Sequence, residues 1–124
     1  AIRVMMAMDT EQEMIAAVLH DVPEESGRLP YNIADEIYGT VTYDNDKGTL
    51  KNTLDALTHW KGEKYNDYIT RVSNDALATR VKLADLKDNL NEDRLALLEE
   101  DLRDFLVKRY TKATAILWKA QNES

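Results

Sequence analysis

The 124-residue chain contains no cysteine, so disulfides, thiolate metal sites and cysteine nucleophiles are excluded by arithmetic. A metal ion could be held only by Asp, Glu and the two histidines. Glycine and proline are scarce, with four and two residues, leaving few places where a helix must break. No apolar run approaches the roughly 18 residues that cross a bilayer, and nothing reads as a basic-then-apolar leader. A cytoplasmic protein without a membrane partner is the expectation. Positive charge is also in deficit: 16 Lys and Arg stand against 23 Asp and Glu, for a formal net charge of −7. That balance disfavours nucleic acid, which is bound through net positive fields. A small anionic substrate stays compatible if local Lys, Arg or a cation offsets the repulsion. What the chain does have is 44% hydrophobic and 31% charged residues, the balance of a soluble globular protein, and length for one domain with one core.

Val4, Met5, Met8, Ile15, Val18 and Leu19 recur at helical spacing, and Thr10 with Glu13 fits a capping box. This predicts helices over about 2–8 and 10–20, joined at a sharp corner. Residues 21–30 hold both prolines and Gly27, which predicts a loop carrying carboxylates. A short helix is expected over 33–38 and a turn-rich connection over 41–48. Two more helices follow over 50–59 and 64–72, with Gly62 between them. The stretch 74–90 reads as one helix with Leu77, Val81, Leu83 and Ala84 inward. The longest is expected over 92–117, where apolar residues from Leu95 through Phe105 to Leu117 step by three or four. No segment alternates with period two for long, so the fold class is all-α, a single helical bundle over 1–124. The four methionines read as core filler, and Trp60 and Trp118 as core or interface anchors; the last helix could serve a homo-oligomer as easily as a core. Lys61-Gly62-Glu63-Lys64 lacks the spacing of a phosphate loop.

Two constellations could carry chemistry. His20 and Asp21 adjoin at a helix end, and Glu24 and Glu25 follow within a turn. An imidazole beside carboxylates can bind a divalent cation, and further carboxylates can serve as general acid and base. A helix cap and a solvated acidic loop are the plain alternatives for the same residues. The second constellation is Val81-Lys82-Leu83-Ala84-Asp85, with Asn89 one turn on along the same face. Asp85 stands in an apolar stretch, where an unpartnered carboxylate would be costly to bury.

Leu19-His20-Asp21-Val22, Glu24-Glu25-Ser26 and Val81-Lys82-Leu83-Ala84-Asp85 with Asn89 together resemble the motifs of HD-domain phosphohydrolases. The nearest likeness is to the RelA/SpoT-type hydrolases of guanosine tetraphosphate (ppGpp) and their small single-domain relatives, which read His-Asp-x-x-Glu-Asp-Thr and Lys-Leu-Ala-Asp-x-x-x-Asn. The resemblance implies an HD-domain helical bundle that removes the 3′-pyrophosphate of ppGpp or a related nucleotide. It implies His20, Asp21 and Asp85 as metal ligands, with Mn2+ as the ion. Glu24 would orient or deprotonate the attacking water with help from Glu25, and Asn89 would lie near the substrate. Lys61, Arg71, Lys82 and Tyr110 are the candidates for substrate contacts by relative position. Two departures stand out. Glu25 and Ser26 occupy the family's Asp and Thr positions, and the family's first metal ligand is a His on an upstream helix, expected on a segment preceding Ala1. Another nucleotide phosphohydrolase of the same fold, or a non-catalytic HD-like scaffold, are the alternative functions.

Overall fold

The computed structural model describes residues 2–40 and 45–123. Among the described residues the chain is helical throughout, with no strand, as the periodicity predicts. None of its helices is long and apolar enough to cross a membrane.

The first two helices are α1 (Ile2–Met6) and α2 (Glu11–Leu19). The corner between them is built by the expected capping box. Thr10 Oγ1 accepts the Glu13 N–H at 3.1 Å, and Glu13 Oε1 accepts the Thr10 N–H, also at 3.1 Å. Two orphan N–H groups at the helix start are thereby satisfied reciprocally. Glu13 is buried and reaches Arg80 at 2.9 Å through its other oxygen, so the cap also ties α2 to a distant helix.

The 21–30 segment is not the loop its prolines and glycine predict. Val22–Ser26 forms a short helix, α3, and Pro30–Tyr38 forms α4. Both prolines lie in the first turn of their helices, where a missing N–H costs nothing and the fixed φ favours the start. Gly27 ends α3 at φ +73°, a left-handed position that glycine adopts without strain. Of the expected 41–48 connection, residues 41–44 lie outside the described residues, and Asn45–Gly48 is instead the first turn of α5 (Asn45–Leu57).

Helices α6 (Tyr65–Ser73) and α7 (Ala76–Asn89) follow. The Asp75 carboxylate caps α7 by accepting the Ala78 N–H at 2.8 Å, and the Thr53 hydroxyl donates to it from α5. The expected helix over 92–117 is divided into α8 (Glu92–Leu95) and α9 (Glu100–Glu123). Between them the bonding tightens to i→i−3 steps, from Leu97 N–H to Arg94 and from Leu98 N–H to Leu95. Apolar spacing alone does not register this break. Glu100 and Asp101 fall in the first turn of α9, where negative charge is favourable.

Helix α7 sits centrally, packed against α1, α2, α5, α6 and α9. Leu50, Leu54, Ile69, Val81, Leu86 and Leu117 are among the fully buried side chains. Leu77, Leu83 and Ala84 border this core as expected. Two expectations about burial fail: Met8 is buried but Met6 and Met14 are exposed, and Leu102 and Phe105 face solvent. Trp60 and Trp118 lie outside the core, which leaves the interface half of their expected role. Leu102 and Phe105 lie near the start of α9, whereas the buried residues of that helix, Ala113 and Leu117, lie in its second half.

Candidate metal centre

His20 follows the last residue of α2, Asp21 precedes the first residue of α3, and Asp85 projects from α7. The packing of α2 on α7 brings the three together. The His20 side chain is only 4% exposed. Its Nδ1 lies 2.5 Å from the Ala17 carbonyl oxygen; that oxygen can only accept, so Nδ1 carries a proton and Nε2 is the atom free to bind. Nε2 faces Asp21 Oδ1 at 3.2 Å and Asp85 Oδ1 at 3.6 Å. It is closed to solvent and hydrogen-bonded to neither; the Asp85 separation exceeds hydrogen-bonding reach.

A neutral Nε2 lone pair pointed at two carboxylate oxygens would be repelled. The arrangement calls for positive charge at that point, supplied by a proton or by a cation. Burial alone would lower the His20 pKa, but the neighbouring Asp85, the Ala17 carbonyl and Asp21 outweigh it and hold the imidazole above its ordinary value. The donor set of one imidazole and two carboxylates suits a borderline or hard divalent ion. Among the described residues, however, no three His, Asp or Glu side chains come together as a complete metal-binding group.

The other Asp85 oxygen, Oδ2, accepts from Lys82 Nζ at 3.1 Å. Burial would raise the Asp85 carboxyl, but His20 and Lys82 hold it down at about 2. Lys82 is itself largely buried, with its ammonium 5.4 Å from the centre of the Tyr68 ring. Burial opposes its charge, yet the Tyr68 phenol and Asp85 keep its pKa above the ordinary value. The Tyr68 hydroxyl donates to the Leu57 carbonyl at 2.8 Å, and burial pushes that phenol up to about 12.

Glu24 is exposed in the first turn of α3, and its Oε1 accepts the backbone N–H of His59 at 2.5 Å. The His59 ring stacks on Tyr68 at 4.7 Å, nearly parallel, and its Nε2 donates to the Glu63 carbonyl at 2.7 Å. His59 therefore lies beside the cluster and is not aimed into it. Arg71 braces this loop from below. Its guanidinium donates to both Glu63 oxygens at 2.9 and 3.0 Å, to the Asp55 carbonyl at 2.7 Å and to the Thr58 carbonyl at 2.6 Å.

The structure thus gathers His20, Asp21, Asp85 and Lys82, and links Glu24 to them through His59 and Tyr68. Glu25 and Lys61 are exposed, and their side chains make no hydrogen bond or ion pair among the described residues. Asn89 closes α7 one turn beyond Asp85, and Tyr110 is half-buried on α9 within electrostatic reach of Tyr65. Sequence inspection passed over Tyr65, Tyr68 and Arg109. The i, i+3 spacing of the two tyrosines ahead of Arg71 is the one signal that sets them on a common helix face. No protein-family model matches the chain, and no curated protein matches it.

Proposed function

We propose that the chain is a metal-dependent phosphohydrolase of the HD type that acts on a nucleotide carrying a pyrophosphate, with ppGpp the favoured substrate. The observation that carries this reading is the buried, unbonded His20 Nε2 set between carboxylates from two separate parts of the chain. His20, Asp21 and Asp85 would hold the ion, with Mn2+ the expected metal. When bound, such a cation supplies Lewis-acid polarisation of a phosphoryl group. The remaining work falls to side chains of the protein. Glu24, anchored by the His59 N–H, keeps a second carboxylate oxygen with which to accept a proton from the attacking water. Glu25 adds negative charge beside it, and Asn89 offers an amide to the substrate. Lys82 keeps the Asp85 carboxylate ionised and oriented.

A non-catalytic helical bundle is the second reading, favoured by the lack of a complete three-residue metal group among the described residues. The experiment that separates them is release of pyrophosphate from ppGpp and from a panel of nucleotides with added Mn2+, run beside Asp85→Ala and a chelator. Turnover abolished in both controls supports the hydrolase. No turnover of any substrate, together with no bound metal, overturns it in favour of the bundle.

A further inference from the structure

A second cluster adjoins the first. Tyr65 opens α6, and its hydroxyl is closed to solvent without a hydrogen-bond partner among the described residues. A buried hydroxyl left unmade in this way costs about 1–3 kcal/mol, so its retention at the edge of a charged cluster points to a partner that arrives from outside. Burial raises the Tyr65 phenol, and both Lys82 and Arg109 act against that rise. The hydroxyl therefore lies within the field of two cations and also of the Asp85 carboxylate, which with Tyr110 adds to the rise.

Arg109, from α9, holds its guanidinium carbon 3.9 Å from the Tyr65 ring centre and 5.5 Å from that of Phe105. In a chain of net charge −7, Arg3, Arg28, Arg71, Arg80 and Arg94 each pair with a carboxylate. Arg103 and Arg109 do not: among the described residues no carboxylate or carbonyl takes their guanidinium N–H groups, and of these two it is Arg109 that is stacked on aromatic rings. Stacking on aromatic rings fixes the plane of a guanidinium while leaving its edge available, and that edge matches two oxygens of a phosphoryl group.

We infer that Arg109 and Tyr65 form a phosphoryl-binding subsite beside the His20–Asp85 cluster, with the arginine fork on two oxygens and the tyrosine hydroxyl donating to a third. Lys82 adds positive field from the α7 side. Three convergent donors fit a tetrahedral phosphoryl group better than a planar carboxylate, which offers only two oxygens. Access needs rotation of the half-buried Arg109 or Tyr110 side chain, a fast motion for groups at a surface. The inference rests on the phosphohydrolase reading for the kind of molecule bound, and it requires no turnover.

The test is titration calorimetry of the full chain with inorganic pyrophosphate at about 0.1 M salt in the presence of a chelator, a salt level at which longer-range surface fields are largely screened. Saturable binding is expected. Tyr65→Phe should weaken it about tenfold while leaving the unfolding midpoint unchanged or raised, because the hydroxyl it removes has no partner in the free protein. Arg109→Lys, which keeps the charge and loses the fork, should also weaken it about tenfold. Absence of wild-type binding, or unchanged affinity in either variant, overturns the subsite. Asp85→Asn separates the two proposals: retained pyrophosphate affinity in that variant, with the wild type inactive on ppGpp, leaves the subsite standing and removes the hydrolase.

Discussion

Replacing Asp85 by Asn keeps the size of the side chain and removes the charge that lies between His20 Nε2 and Lys82 Nζ. The folded carboxyl titrates at about 2, against an ordinary 3.8. At about 1.4 kcal/mol per tenfold change in proton affinity, that difference stabilises the fold by about 2 kcal/mol at neutral pH. With about 2.1 cal/mol/K of unfolding entropy per residue over 124 residues, the loss corresponds to a fall in Tm of about 8 °C. The pH dependence follows from the depressed value. The stabilisation is complete above the ordinary carboxyl pKa and fades as pH falls from about 4 to about 2, where Asp85 protonates in the folded protein and becomes nearly isosteric with Asn. Thermal unfolding followed by circular dichroism, in chelator, should therefore show the variant about 8 °C below wild type at pH 7, with the gap closing near pH 2. A variant as stable as wild type at pH 7 would refute the pairing argument, as would a gap that persists undiminished at pH 2.

Arg71→Lys should cost about 2 kcal/mol in urea unfolding, because an ammonium cannot reproduce the forked contact with Glu63 together with the Asp55 and Thr58 carbonyls; a loss under about 0.5 kcal/mol would show that the brace is dispensable. Leu54→Ala, at a fully buried position of α5, should cost about 2–5 kcal/mol by the same assay. Mn2+ affinity should rise with pH up to the raised His20 value, above 6.5, and flatten beyond it, because proton and cation compete for Nε2. Titration by electron paramagnetic resonance between pH 6 and 9 checks this, and a pH-independent affinity would remove His20 from the ligand set.

Helix class and the α2 start were legible because they rest on local chemistry. Thr10 and Glu13 satisfy each other within one turn, and the apolar spacing of 76–89 needs no distant partner to be seen. The prolines misled for an equally local reason: Pro23 and Pro30 mark helix starts as readily as breaks, and only the surrounding packing decides which. Leu102 and Phe105 continue a helical stripe yet face solvent, a fact that spacing within α9 does not carry. At the site, Asp85 was conspicuous because a carboxylate among Leu83, Ala84 and Leu86 demands a partner. That Lys82 holds its second oxygen follows from i, i+3 spacing, whereas the setting of Lys82 over Tyr68 depends on how α6 meets α7 and leaves no trace in either stretch alone.

The bond that fixes Glu24 has a consequence for which substitutions the chain can absorb. Its donor is the main-chain amide of residue 59, a group that nineteen of the twenty amino acids provide equally. Position 59 can therefore drift in side chain, losing the stack on Tyr68, the edge contact with Tyr65 and the bond to the Glu63 carbonyl, while the carboxylate keeps its anchor. Proline alone has no hydrogen to offer there. The instruction that holds Glu24 in place is thus written in the path of the backbone, where a residue-by-residue comparison of sequences does not see it.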